Sequence, residues 1–321
     1  MVAKGARAPV GAEEVDGVQV EIRGLRKVYP GGVTALQGID LTIPVGIFGL
    51  VGPNGSGKTT LIRIVATLLE PTAGEVFVGG HDVRKNKAAV RELLGYLPED
   101  FGFYPNLTAY EMLDYLALLC RVNARKERQA RIEQALHRVN LDQVAGQRVG
   151  TFSSGMRRRL GIAQAILNDP AVLVMDEPTS GLDPEERVRL RNLLAELAGQ
   201  RVVILSTHIV NDIATIGQRL AIIRKGACVF SGTLSELLGP LRGRTWIIDI
   251  GEDEVSRLRE QYYVTGVFRS ATGMQVRVLA DEMSHPKGYA AEPTLDDAYV
   301  WAQAEPARPA SPYDQTGGAS A

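Results

Sequence analysis

Apolar and polar positions alternate from Val18 to Val28, the period of a strand with one buried face, and Leu41 to Ile43 repeats the pattern just before Pro44. Ile47 to Val51 reads as a buried strand. Ala171 to Met175 and Val202 to Leu205 are short, wholly apolar runs followed by polar residues, as expected of strands covered on both faces in a parallel sheet. Between them the period changes. A helix is expected from about Lys58 to Leu69, a turn over Pro71 to Gly74, and a short strand from Glu75 to Val78 ending at Gly79-Gly80. Residues 106 to 168 are mostly helical by period, with breaks near Asn123, Gly146 and Gly150. Leu220 to Ile223 and Cys228 to Phe230 flank Lys225-Gly226 and read as a closing hairpin.

The composition shifts near Gly239-Pro240. Beyond it, Thr245 to Ile250 and Gln275 to Leu279 read as strands and Glu252 to Gln261 as a charged helix. Thr294 has an acidic residue three places on, Asp297, which is a helix-start pattern. Residues 240–304 are therefore expected to form a small α+β appendage. Residues 1–17 are expected to be a disordered leader and 305–321, rich in Pro, Ala, Gly and Ser, a disordered tail. No internal repeat is visible.

Length and charge narrow the functional classes. The 321 residues suffice for a large domain and a small one, and 45% are apolar. Lys and Arg number 36 against 37 Asp and Glu, so there is no basic field for nucleic acid. No apolar run approaches the ~18 residues of a membrane span, and Met1 to Asp16 has no signal-peptide core. Cys120 and Cys228 lack metal-site spacing and are expected to be ordinary packing residues in a reducing compartment.

The chemistry begins at Gly52-Pro53-Asn54-Gly55-Ser56-Gly57-Lys58-Thr59-Thr60, a complete phosphate-binding loop between a strand and a helix. Its glycines allow positive φ and bring backbone N–H groups to an anion at a helix N-terminus. Lys58 can reach the β- and γ-phosphates, and the Thr59 hydroxyl can ligate Mg²⁺. A loop of this kind alone does not separate kinases, GTPases, helicases and transport ATPases. Asp176 and Glu177 end an apolar strand, where a parallel sheet presents its ligands. Asp176 is placed to hold Mg²⁺, and Glu177 to polarise an attacking water as general base.

Thr151-Phe152-Ser153-Ser154-Gly155-Met156, followed by Arg157 to Arg159 and the apolar helix Leu160 to Leu167, resembles the signature segment of ATP-binding cassette (ABC) ATPases. Over about residues 18–239 the chain resembles the nucleotide-binding subunit of an ABC transporter. It carries, in the family's order, Tyr29, the phosphate loop, Glu99, the signature, Asp176-Glu177, Ser180 to Asp183 and Ser206-Thr207-His208. The resemblance implies an α/β P-loop NTPase fold with a RecA-like core, an antiparallel β subdomain and a helical subdomain at about 100–168. It implies ATP and Mg²⁺ as ligands, Tyr29 stacking on adenine, and Glu99 among the metal contacts. His208 would hold the γ-phosphate and the water. Asp183 would contact a second cassette, whose ATP would be gripped by Ser153, Ser154 and Gly155. The three arginines are expected to be a solvated helix face, with at most one near nucleotide.

Two positions depart from the family. Glu99 stands where glutamine is usual and adds negative charge close to the phosphates. Ser154 stands where glycine is usual, and would be strained if the site needed positive φ. Asp100 to Thr108 and Tyr110 to Leu119 resemble the segment that receives a permease's coupling helix in bacterial exporters, and some of it is expected to be exposed. The C-terminal region is similar, more loosely, to that of drug, lipid or polysaccharide exporters. The expected partners are a separate integral-membrane permease and a second cassette, with no nucleic acid, at the cytoplasmic face of the membrane. Two alternatives belong to other classes. One is a soluble cassette ATPase acting on ribosomes or DNA, which would commonly bring two cassettes or a basic surface. The other is a non-cassette P-loop enzyme; a GTPase should carry Asn-Lys-x-Asp, whereas Asn86 to Ala89 lacks the aspartate.

Overall fold

The structure is a computed structural model that describes residues 18–217, 219–270 and 273–304. The leader 1–17 and tail 305–321 lie outside the described residues. In chain order the elements are β1 (Val20–Val28), β2 (Thr34–Ile43), β3 (Gly46–Val51), α1 (Lys58–Val65), β4 (Ala73–Val78), β5 (His81–Asp82), α2 (Lys87–Leu93), β6 (Leu94–Leu97), α3 (Ala109–Leu119), α4 (Arg125–Arg138), α5 (Ser154–Ile166) and β7 (Val172–Asp176). There follow α6 (Pro184–Ala198), β8 (Val202–Thr207), α7 (Val210–Ala214), β9 (Arg219–Arg224), β10 (Ala227–Thr233), α8 (Leu234–Leu238), β11 (Thr245–Ile250), α9 (Val255–Gln261), β12 (Tyr263–Ser270), β13 (Gly273–Leu279), β14 (Gly288–Ala290) and α10 (Leu295–Ala302).

Three sheets result. The central one runs β10-β9-β3-β8-β7-β6, parallel except for the edge strand β10. Its apolar runs are buried on both faces. Ile47, Val51, Leu173, Met175, Val203, Leu205, Leu220 and Ile222 join the core that holds α3 to α6. Their neighbours Phe48, Leu50, Val172, Val174, Val202, Ile204, Ala221 and Ile223 face α1 and the second, antiparallel sheet, β2-β1-β4-β5. The third sheet, β12-β13-β11-β14, is antiparallel and packs Ile248, Ile250, Val276 and Val278 against Leu258 of α9.

Several expectations shift. The helix after the phosphate loop stops at Val65, not near Leu69, because Thr67 adopts φ 60° and the N–H groups of Leu68 and Leu69 both turn back to the Arg63 carbonyl. The strand at Leu41–Ile43 begins at Thr34, and the turn at 71–74 gives way to β4 at Ala73, which pairs with Arg26 of β1. The charged segment 252–261 is a 3₁₀ turn, Glu252–Glu254, followed by α9.

Candidate active site

The carboxyl ends of β6, β7, β8 and β3 lie side by side: Leu97 pairs with Met175, Asp176 with Ser206, and Val51 with Thr207. That register brings the phosphate loop, Asp176-Glu177, Glu99 and His208 to one rim of the sheet. Gly57 caps α1 in the left-handed region, at φ 110°, with no side-chain partner for the first-turn N–H groups. A Cβ there would stand 2.6 Å from the Ala35 carbonyl oxygen, so glycine is dictated by both backbone and space. Lys58 is buried; its Nζ donates to the Gly52 carbonyl at 2.7 Å and reaches that of Pro53 at 3.4 Å. Around these residues opens a cavity of about 260 Å³, lined by Ala35, Asn54 to Thr60, Glu99 and Glu177. Tyr29 meets the loop from outside this lining, its hydroxyl 3.2 Å from Thr60 Oγ1, with Lys27 Nζ 5.3 Å from its ring centroid.

Asp176, which ends β7, and Glu177, which follows it, are both buried. Asp176 Oδ1 accepts from the Ser206 hydroxyl, while Asp176 Oδ2 has no hydrogen-bond partner. Glu177 takes φ 47°, a left-handed conformation costing about 1–2 kcal/mol outside glycine. Its N–H donates to the Ser206 carbonyl at 3.1 Å, and its own carbonyl accepts from Ser180 N–H at 3.1 Å and Arg158 Nη2 at 3.0 Å. The carboxylate lies between His208 and Lys58: Oε2 is 2.9 Å from His208 Nδ1, and Oε1 is 3.6 Å from Lys58 Nζ, in ion-pair range but beyond a hydrogen bond. Buried carboxylate and hydroxyl oxygens without partners, at Asp176 Oδ2 and Ser56 Oγ, are costly unless something occupies the cavity. Thr59, Glu99 and Asp176 offer a hydroxyl and carboxylates, the donor set that suits Mg²⁺. Among the described residues no trio of His, Cys, Asp or Glu gathers into a denser metal cluster.

The signature segment is elsewhere. Ser153 caps α5, its Oγ accepting from Met156 N–H at 3.1 Å, and Gly155 lies so close to Glu186 that a Cβ would meet its carboxylate at 2.7 Å. Ser153 and Ser154 are exposed. Ser154 is not among the residues with positive φ; it is the first residue of α5, so the expected strain is absent. Asp183 caps α6, Oδ1 accepting from Glu186 N–H at 2.9 Å, and is exposed. None of Ser153, Ser154, Gly155 and Asp183 lines the phosphate cavity. Ser154 instead lines a second cavity of about 500 Å³ with Phe101, Phe103, Arg157 and Arg158, and Glu99 is common to both cavities.

Of the three arginines expected on a solvated face, Arg157 is exposed and Arg159 half-buried, while Arg158 turns inward beside Glu177. Arg158 is buried; Arg157 Nη1 donates to the Phe152 carbonyl, and Arg159 Nη1 reaches the Asn140 carbonyl at 3.2 Å. Sequence reasoning also assigned nothing to Ser206 or to the buried bond of 2.6 Å from the Thr179 hydroxyl to Asp212. The small polar residue inside the apolar run that ends at Thr207 was the available signal for Ser206. The aromatic segment is partly exposed as expected, at Tyr104 (58%) and Leu119 (64%), with Tyr104 and Tyr115 ring centroids 5.9 Å apart.

Comparison with known proteins places this geometry. Residues 36–180 match the family model for ABC transporters. An ABC transporter ATP-binding protein of Synechocystis is 36% identical over 259 residues, covering 77% of this chain and 72% of the relative. A daunorubicin resistance ATP-binding protein of Streptomyces coeruleorubidus is 36% identical over 220 residues, covering 68% and 69%. Some relatives are far longer: the chain spans 26% of ABC transporter A family member 8 of Dictyostelium discoideum, at 37% identity. Among solved structures, the dimeric post-hydrolysis state of the cassette MJ0796 bound to ADP and Pi is similar at 27% identity and a TM-score of 0.60, covering 67% of this chain and 98% of that one. The chain belongs to the ABC transporter family as one of its ATP-binding proteins, and its enzymatic activity is ATP hydrolysis.

Proposed function

We propose that this chain powers an exporter whose permease is a separate polypeptide, and that two cassettes close on ATP to do so. The observation that carries the reading is the separation of the two halves of the site. Lys58, Glu99 and Glu177 line one cavity, and the Ser153–Gly155 segment lies outside it, with Ser153 and Ser154 exposed at the tip of α5. A second copy supplies what the first lacks. Its Ser153 hydroxyl and α5 N-terminus meet the γ-phosphate held by the first copy's loop, and Asp183 at the α6 N-terminus lies at the same junction.

Within one copy, loop N–H groups and Lys58 take the phosphates. Glu177 accepts the proton of the water that attacks in line, and His208, already at Glu177 Oε2, holds that carboxylate and the water in register. Tyr29, anchored at Thr60, offers its ring to adenine. Thr59, Asp176 and Glu99 would hold Mg²⁺, which would supply charge neutralisation at the phosphates.

Export is supported by the daunorubicin resistance relative and by a probable multidrug ATP-binding protein of Escherichia coli, 37% identical over 233 residues. Among the described residues no helix is long and apolar enough to cross a membrane. The cavity beside Phe101 and Phe103, with Tyr104, Tyr115 and Leu119 exposed nearby, suits a coupling helix of the permease. The test is Glu177→Gln. It should retain ATP binding, lose about 10²–10⁴-fold in turnover, and migrate as an ATP-dependent dimer in size-exclusion chromatography. Full turnover, or specific activity independent of protein concentration in a strictly monomeric protein, defeats the proposal.

A further inference from the structure

Arg158 belongs to no motif used above, yet it is 7% exposed in the middle of the site's supports. Its guanidinium reaches from α5 to two carbonyls at the sheet rim: Nη2 to Glu177 at 3.0 Å and Nη1 to Glu99 at 3.4 Å. Its flat face lies over Phe101, 5.3 Å from the ring centroid. One side chain therefore joins the catalytic turn, the segment after β6 and the wall of the larger cavity.

The helix that carries it is seated rigidly. A Cβ on Gly95 of β6 would be 2.1 Å from the Ala165 carbonyl oxygen, and one on Gly161 would be 2.8 Å from Leu97 and 3.0 Å from Phe101. Those two glycines let α5 press directly on β6. A fork of donors projecting from such a base fixes its acceptors by geometry as well as charge. Glu177 needs this, because its left-handed backbone has better minima available once its carbonyl is released.

The geometry points to Arg158 as a positioning residue for ATP hydrolysis, holding the Glu177 turn in its reactive conformation from the same helix whose tip carries Ser153. The inference rests on Glu177 as the general base. Burial pulls the guanidinium below the ordinary arginine range, against the pull of the carboxylates of Glu99, Asp100, Glu177 and Asp176. The buried cation also offsets the carboxylate that Glu99 adds beside the phosphates.

The experiment compares Arg158→Met and Arg158→Lys in the full chain, alone and with Glu177→Gln. ATP affinity by equilibrium binding and kcat under saturating ATP are read separately. Arg158→Met should lower kcat by roughly 10–100-fold, as misplacement of a reacting group does, with ATP affinity within about twofold. Arg158→Lys, able to reach one carbonyl, should recover part of the loss. In single-turnover hydrolysis Arg158→Met should add nothing to Glu177→Gln, since both act through one carboxylate. Equal losses in both backgrounds, or a folded Arg158→Met with normal kcat, overturn the proposal. Should Arg158→Met not fold, Arg158→Lys is held to the same two criteria. Full turnover by Glu177→Gln alone would remove the general-base reading itself, a distinct result.

Discussion

Arg277→Met should detach the third sheet from the cassette, and the size of the effect can be worked from one carboxylate. Asp297, third residue of α10, is 1% exposed. Arg277 of β13 donates to its Oδ2 through Nη2 at 2.6 Å and to both oxygens through Nε at 3.1 Å. Thr294 adds its N–H at 2.8 Å and its hydroxyl at 2.7 Å, and the Thr265 hydroxyl of β12 donates to Oδ1. From the same helix Ala298, Tyr299 and Trp301 enter the core that contains α7, and Arg224 Nη1 grips the carbonyls of Gln303 at 2.8 Å and Ala304 at 2.7 Å. Removing the cation leaves a buried charge with three neutral donors. Breaking such a pair costs about 3–5 kcal/mol, and the surviving donors place this case near the lower end.

Both tryptophans report the region, Trp246 on β11 and Trp301 on α10. Urea unfolding followed by their emission should therefore lose about 1 M or more in midpoint, taking an m value of roughly 1–3 kcal/mol per M. Amide exchange over β13 should quicken while β7 and β8 stay protected. The acid limb gives a second reading. Burial alone would raise the Asp297 carboxyl, but hydrogen bonds from Arg277, Thr265 and Thr294 outweigh it and hold it below the usual carboxylate range. The unfolded chain thus binds this proton more readily. The stabilisation is complete above the ordinary aspartate value near pH 3.9 and is lost as pH falls through the lower folded value. Asp297→Asn should flatten that limb. A loss of stability for Arg277→Met of no more than about 1 kcal/mol would refute the account, because that is the most an exposed ion pair is worth.

Two further substitutions test the site. Lys58→Ala removes the donor to the Gly52 carbonyl and the cation beside Glu177, so equilibrium titration with a fluorescent ATP analogue should show at least about a tenfold loss of affinity, equal to 1.4 kcal/mol; unchanged affinity would take Lys58 out of the phosphate site. Ser154→Gly relieves no backbone strain, since Ser154 is right-handed at the start of α5, and should change stability by no more than about 1 kcal/mol. It removes only a side chain that the proposed function sets against the second cassette, so steady-state ATPase should be kept or raised, and a sharp fall would mean that the Ser154 hydroxyl itself is used.

What could be read from the sequence was what local rules dictate. Ala171 to Met175 and Val202 to Leu205 were legible as strands because burial on both faces leaves no polar alternation to mislead. The phosphate loop was legible because Gly57 must have φ near 110° beside the Ala35 carbonyl, which no other residue type permits. Arg158 was not, because three consecutive arginines on a helix look alike until Gly95 and Gly161 settle how α5 lies on β6 and turn one of them inward. The conformation of Ser154 was decided by the capping of α5 through Ser153, one residue upstream, and the end of α1 by a left-handed threonine, Thr67. The edge strands β5 and β14 have two and three residues, too few for any period to register.

Lys58 stands between the phosphate loop and the base of the proposed site. Its Nζ donates to the Gly52 carbonyl and lies in ion-pair range of Glu177 Oε1, while His208 meets Oε2. Glu177 Oε1 accepts no hydrogen bond and keeps its lone pairs for a proton donor. In the proposed function that donor is the attacking water, with the Lys58 charge shared between the triphosphate and Oε1. Two conditions for hydrolysis then fall to different elements of the proposed dimer: the loop holds the phosphate beside the base, and a second copy's α5 closes its far side. In that proposed dimer Arg158, which joins α5 to the Glu177 carbonyl, links each copy's grip on its neighbour's ATP to its own base.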